Sequence, residues 1–200
     1  MTDARRTAPS AARNREPILA ALREVLPREG TVLELAAGSG EHARWYAEAF
    51  GGLRWIPSDR DPSAVASIEA WREGASANLE PARVIDVRSD DWGVGKVDAV
   101  LCINMIHIAP WSAGEAMLDG AARHLNSSGV LFLYGAYKRN GAHTAPSNET
   151  FDQWLKSQDP EFGVRDLEAV LARADRAGLA LDRVIEMPAN NLSVVLQRRK

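Results

Sequence analysis

Residues 31–40, Thr-Val-Leu-Glu-Leu-Ala-Ala-Gly-Ser-Gly, constrain the fold of this chain more than any other stretch. Residues 31–35 are apolar, β-branched at Thr31 and Val32, and preceded by Gly30, which reads as a short strand. Gly38 and Gly40 then allow a sharp turn and a close approach of backbone to ligand, because neither carries a Cβ. From Glu41 the apolar spacing becomes helical, with Ala43, Tyr46, Ala47 and Phe50 on one face. Strand, glycine turn and helix N-terminus in this order make a nucleotide-type site at the C-terminal edge of a parallel sheet.

The rest of the chain repeats the alternation. Residues 1–9 read as a disordered start. Residues 10–26 read as a helix with Ile18, Leu19, Leu22, Val25 and Leu26 on one face and Pro17 marking its start or a kink. Residues 53–57 form a second strand ending in Ser58-Asp59, and Asp61-Pro62 caps the next helix. Residues 82–87 give a third strand, ending in Asp86-Val87. Residues 97–103 are almost continuously apolar, as a central parallel strand covered on both faces must be. A capping box at Ser112-Ala113-Gly114-Glu115 opens a helix, and residues 130–134 form a fifth strand. The polar stretch 135–148 is too long for an ordinary connector. Helices near 149–156 and 166–177 and strands near 180–186 and 192–197 close the chain. The class is α/β: a single doubly wound, Rossmann-like domain over residues 10–200.

Bulk properties narrow the partners. A formal net charge of −3 gives no global field favouring nucleic acid or an anionic membrane. Cys102 is the only cysteine, so neither an intramolecular disulfide nor a cysteine-based zinc cluster can form, and no metal site is expected. No apolar run reaches the roughly 18–20 residues that span a bilayer. Arg5, Arg6, Arg13 and Arg15 lie in an N-terminus without the apolar core of a secretory signal, which leaves the cytoplasm as the expected compartment. A small-molecule substrate and a monomer or homodimer are expected, with no nucleic acid and no membrane partner.

The acid in the first strand carries a resemblance. Glu34-x-x-x-Gly38-x-Gly40 resembles the first motif of class I S-adenosylmethionine-dependent methyltransferases, although Gly38-Ser39-Gly40-Glu41-His42-Ala43 also fits the dinucleotide pattern G-x-G-x-x-G/A. Seven strands ending in a strand pair resemble the class I methyltransferase fold, whose last strand is antiparallel, and this favours the methyltransferase. The resemblance implies S-adenosyl-L-methionine as cofactor. Glu34, Ala36, Gly38 and Gly40 would then serve its methionine part and Asp59 its ribose, with Arg60 a further cofactor contact. Asp86 and Val87 would hold the adenine with Met105 packed against it, and Asn104 would present its amide to cofactor or substrate. Residues 10–29 would be a helical lid bringing Asn14 over the cofactor. His107 is the candidate base, since imidazole titrates near neutral pH. Tyr137, Arg139, His143, Asn148 and Asn190 are the candidate substrate contacts.

Four further stretches tighten the likeness: residues 13–19, Asn104-Met105-Ile106-His107-Ile108, residues 144–148, and Met187-Pro188-Ala189-Asn190-Asn191-Leu192. Together they resemble one methyltransferase-like family of unassigned function, with bacterial members and an animal counterpart. The expected reaction is in-line methyl transfer to an oxygen, nitrogen or sulfur of a small polar molecule. Two rivals stand beside it. One is an NAD(P)-dependent oxidoreductase, for which Tyr134-x-x-x-Lys138 has the right spacing but leaves a strand end. The other is a module that binds S-adenosylmethionine without chemistry.

Overall fold

The computed structural model of the chain describes residues 4–199. Helix α1 (Pro9–Val25) leads into β1 (Gly30–Leu35), α2 (Glu41–Ala49), β2 (Leu53–Asp59), α3 (Pro62–Arg72), β3 (Arg83–Val84) and β4 (Val97–Ile103). Then follow α4 (Trp111–His124), β5 (Leu125–Arg139), β6 (Ala142–His143), α5 (Pro146–Gln158), β7 (Arg165–Asp166), α6 (Leu167–Arg176), β8 (Leu179–Met187) and β9 (Asn191–Arg198). The main sheet runs β3-β2-β1-β4-β5-β9-β8. Strands β1 to β5 are mutually parallel, and β9 is antiparallel to both neighbours. The order reverses between β1 and β4, which places a crevice at the C-terminal ends of those strands.

Alternation along the strands builds a core on each face of the sheet. Val32, Trp55, Leu101 and Phe132 meet Ile18, Leu22 and Tyr46 of α1 and α2. Leu33, Leu35, Val100 and Leu131 meet Met117 and Leu118 of α4 and Leu167 and Val170 of α6. Strand β4 is buried on both sides, which explains its unbroken apolar run. Cys102 belongs to this core, and burial pushes its thiol up to about 12. No described helix is long and apolar enough to cross a membrane.

Three local expectations change. Helix α4 starts at Trp111, so Ser112 is already helical and forms no capping box; the Pro110 carbonyl accepts from Ala113 N at 2.9 Å instead. Strand β3 has only two residues, and Asp86 and Val87 lie beyond it. The stretch 135–148 is not a connector. Strand β5 continues to Arg139, turns through Asn140 (φ 51°) and Gly141 (φ 78°), and pairs back as β6 before α5 begins. Asn-Gly supplies the two positive φ angles that a two-residue hairpin turn needs.

Candidate active site

The glycine turn is held by its own backbone and by one carboxylate. After β1 the chain is left-handed at Ala36 (φ 51°), Gly38 (φ 58°) and Gly40 (φ 91°). A Cβ on Gly40 would lie 2.8 Å from Ile68 Cα, so α3 packs against the bare backbone. Ala37 N donates to Ser58 O at 2.8 Å, and Gly38 N donates to Asp59 Oδ2 at 3.0 Å. Asp59 Oδ1 accepts from Asp61 N at 2.9 Å. Asp59 therefore clamps the turn to the end of β2 and stays half-buried at the cleft, while Arg60 beside it is exposed.

Glu34 does not serve the turn as expected. It is 2 % exposed and faces the core, where its Oε2 accepts from Trp55 Nε1 at 2.7 Å. Burial pushes its carboxyl up to about 7, with the Trp55 bond opposing. Even periodicity sends Glu34 to the same face as Val32, under α1, so it locks β1 to β2 and does not reach the cleft.

Asp86 and Val87 follow β3 at the same edge. Asp86 accepts from Arg88 Nε at 3.0 Å and Nη2 at 2.6 Å, and this hydrogen bonding holds its carboxyl down at about 2. Asn104 leaves β4 in a left-handed conformation (φ 62°), its N–H donating to Tyr134 O at 2.8 Å, and Met105 behind it is buried. Asn14 reaches α2, where His42 Nε2 donates to its Oδ1 at 2.8 Å. His42 stacks on Tyr46, and burial pushes its imidazole down to about 4. Ahead of α1, Ala8 N donates to Glu41 Oε2 at 2.6 Å and Arg6 N to Ser67 Oγ at 2.8 Å. Residues 4–8 thus strap across α2 and α3, whereas residues 1–3 of the expected disordered start lie outside the described residues.

The other expected residues divide between core, scaffold and surface. His107 is fully buried, its ring nitrogens make no well-formed hydrogen bond among the described residues beyond a weak approach to the Gly163 backbone, and burial pushes the imidazole down to about 3. It packs edge-on to Tyr137 with ring centroids 5.2 Å apart. An enclosed imidazole that stays neutral cannot meet an acceptor, so this geometry overturns its assignment as base. Tyr137 is also fully buried, with no partner for its hydroxyl among the described residues, because β5 continues and turns it to the same face as Leu133. It is a core residue and not a substrate contact.

Asn148 is 4 % exposed and donates through Nδ2 to Thr144 Oγ1 at 3.0 Å and Asn190 O at 2.9 Å. It fixes the β8–β9 turn, where Ala189 and Asn190 both have φ of 58°, and does not face a ligand. Asn190 is exposed, and its Nδ2 donates to Ser147 Oγ at 3.2 Å. Arg139 points outward to Glu186 at 3.8 Å.

Asp152 was missed in the sequence and organises this side. Its Oδ2 lies 3.3 Å from His143 Nε2, 3.2 Å from Lys138 Nζ and 2.8 Å from Lys156 Nζ, while Oδ1 accepts from Val164 N at 2.8 Å. Burial works to raise its carboxyl, but Lys156, the Val164 N–H and Lys138 outweigh it and hold it at about 2. The sequence signal for this cluster is Asn140-Gly141, which folds His143 back onto Lys138. Backbone strain marks the same edge of the sheet: Ala36, Asn104, Ala189 and Asn190 are left-handed without being glycine, and all follow the C-terminal ends of β1, β4 and β8.

The strand order, the antiparallel β9 and the crevice between β1 and β4 define the class I methyltransferase fold. The chain belongs to the family described as "Protein of unknown function (DUF938)", whose model matches residues 5–198. Among solved structures it resembles an O-methyltransferase family protein from Burkholderia thailandensis, with a TM-score of 0.79 and 15% identity over 96% of this chain and 58% of that one. It also resembles an O-methyltransferase family 2 protein from Planctomyces limnophilus solved with apigenin, with a TM-score of 0.78 and 20% identity over 94% and 60%. A third is CalO1, a methyltransferase of calicheamicin biosynthesis in its SAH-bound form, with a TM-score of 0.73 and 18% identity over 94% and 55%. At such identities the likeness is one of fold. The chain spans less than two thirds of the length of each of the three.

Proposed function

We propose that this chain is an S-adenosylmethionine-dependent methyltransferase acting on a small polar molecule. The observation that carries this reading is the clamp of Gly38 by Asp59 beside the left-handed Ala36 and Asn104, at the point where the sheet order reverses. A carboxylate ending β2 next to a turn of bare backbone suits a ribose and an amino-acid tail. Asp59 would hold the ribose hydroxyls, Ala36, Gly38 and Gly40 the methionine end, and Asp86, Val87 and Met105 the adenine, with Asn14 closing from α1. When bound, S-adenosylmethionine supplies an activated methyl group on a sulfonium, so the protein's task is mainly alignment and exclusion of water.

His143 replaces His107 as the residue that takes a proton from the acceptor. Its ring is less enclosed than that of His107 and its Nε2 faces Asp152 Oδ2 at 3.3 Å, while its Nδ1 is buried in the ligand-free chain and would have to be uncovered as the acceptor binds. The acceptor would bind between this hairpin and the β8–β9 turn, with Lys138 and Asn190 on its borders. In the same reading the enzyme works in the cytoplasm as a monomer or homodimer, without nucleic acid or membrane, and its family has bacterial members and an animal counterpart.

The oxidoreductase reading loses its main support. Tyr134 and Lys138 both lie within β5, where four residues span about 13 Å, so they cannot act as a pair. Calorimetric titration with S-adenosylmethionine, S-adenosylhomocysteine and NAD(H) tests the proposal. Micromolar binding of the sulfur nucleotides, weakened roughly 10- to 100-fold by Asp59→Ala, is the expected result, because charge-assisted hydrogen bonds are lost. Binding of NAD(H) alone would overturn it. Binding without turnover of any hydroxyl, amine or thiol acceptor would favour the non-catalytic module.

A further inference from the structure

A cleft of about 480 Å³ opens at the edge of the sheet opposite the glycine turn, where α4 and α6 end and β9 leaves the sheet. Its walls carry Arg123 from the last turn of α4, Arg176 from the end of α6, and Arg198 and Arg199 from the end of β9, with Asp119 and Gly178 between them. Four guanidiniums from three elements therefore converge in a chain whose net charge is −3.

Stabilisation of helix ends accounts for only part of this cluster. Basic side chains do complement the carbonyls at a helix C-terminus. That role is filled here by Lys96, whose Nζ donates to Arg123 O at 2.6 Å, and by Arg198, whose Nη1 donates to Leu125 O at 2.6 Å. Arg199 is paired with Asp175, and the Asp119 carboxylate is taken by Arg173. Arg123 and Arg176 remain, both exposed, and among the described residues their side chains have no hydrogen bond or ion pair. The one acid in the wall is engaged elsewhere and offers them nothing.

We propose that this cleft is a second ligand site, for a small anion with two adjacent phosphoryl groups held by Arg123 and Arg176. A guanidinium presents a planar fork of donors that matches phosphate oxygens two at a time. Two unpartnered forks on separate helices match two phosphoryl groups better than one, and Arg198 and Arg199 add to the positive field. Among the described residues no aromatic side chain lines the cleft, so single-stranded nucleic acid would find no stacking surface there. The site lies away from Asp59 and does not depend on the function proposed above.

The test is calorimetric titration of the full chain with inorganic pyrophosphate, orthophosphate and chloride at one ionic strength. Pyrophosphate is expected to bind at least about tenfold tighter than orthophosphate. Arg123→Ala with Arg176→Ala should weaken it by roughly tenfold or more, and Asp59→Ala should leave it unchanged. The pair Arg123→Lys and Arg176→Lys keeps the charge, loses the fork and should fall between. It also serves as the control should the alanine variant fail to fold. Three results would overturn the proposal: pyrophosphate indistinguishable from chloride, affinity equal in wild type and both double variants, or a single-stranded oligonucleotide binding tighter than pyrophosphate through the same arginines.

Discussion

Two polar regions flank β4, and they are completed in different ways. Around the glycine turn, Glu34 is met by Trp55, the Gly38 N–H by Asp59, and His42 by Asn14. Around and beyond β5, the nitrogens of His107, the Tyr137 hydroxyl and His143 Nδ1 are buried without a well-formed hydrogen bond among the described residues. A buried polar group without a hydrogen bond costs about 1–3 kcal/mol, whereas a satisfied one is close to neutral or better. The contacts that hold the turn itself are therefore made by the chain before any ligand, although Arg15 Nε and Trp45 Nε1 on the flanking α1 and α2 are buried without a hydrogen bond among the described residues. The second keeps hydrogen-bonding capacity that the chain alone does not use, and stability alone does not select for that.

The sharpest way to break this contrast is to force the His107 pocket. A Cβ on Gly135 would lie 2.1 Å from His107 Nε2 and 2.6 Å from its Cδ2. Gly135→Ala should destabilise by about 3 kcal/mol, the upper end for overpacking, and lower the melting temperature by roughly 6–12 °C. In a His107→Ala background the same change should be nearly neutral. Equal losses in both backgrounds, measured by denaturant unfolding, would mean that the pocket is not tight.

Next in size is Glu34. Its carboxyl is raised by burial to about 7, so the folded state holds its proton where the unfolded chain, near 4.5, has released it. This part of the stability is present below about pH 4.5 and is lost as pH rises through 7, by at most about 3 kcal/mol. Glu34→Gln keeps an acceptor for Trp55 Nε1 and cannot ionise. The variant should match wild type at pH 5 and exceed it at pH 8; an unchanged difference between the two pH values would sink the burial argument.

His107 carries the opposite slope. Its pKa falls from 6.5 to about 3 through burial, so stability is full above about 6.5 and declines as pH drops toward 3. His42, lowered to about 4, shares that decline, which is why the comparison must be made by difference. Replacing an unpartnered buried polar group by an apolar one of similar size is neutral or stabilising. His107→Leu should therefore gain about 1 kcal/mol at pH 8 and about 2 kcal/mol more at pH 5. A variant less stable than wild type at both would show that the approach of the imidazole to the Gly163 backbone is a full hydrogen bond.

The same contrast explains what could be read from the sequence. The glycine turn, Asp59 and the order of strands and helices were legible because they rest on short-range patterns: a strand, two glycines, and an apolar period that switches from two to 3.6. Glu34 misled because its motif was legible while its direction was not. Strand alternation sends it inward, and the large apolar Trp55 that receives it lies 21 residues away. The acceptor side was obscure because its ties are long-range. Asn148 reaches Asn190 across 42 residues, and Arg165 Nε reaches Ile106 O across 59. The extension of β5 that buries Tyr137 follows from pairing with β7, which no local pattern announces.

The smallest expected effect probes the one place where the assembled region blocks itself. Asp86, the candidate partner of the adenine amino group, is already bonded by Arg88 at 2.6 and 3.0 Å. Arg88 is exposed, and an exposed ion pair is worth little because solvent screens it. Arg88→Ala would free the carboxylate without touching the turn. Stability should not change measurably, and affinity for S-adenosylhomocysteine should rise by about two- to threefold, the scale of a weak competing pair. If affinity falls instead, Arg88 contributes to binding directly, and the adenine end would be completed by its ligand in the way proposed for the region beyond β5.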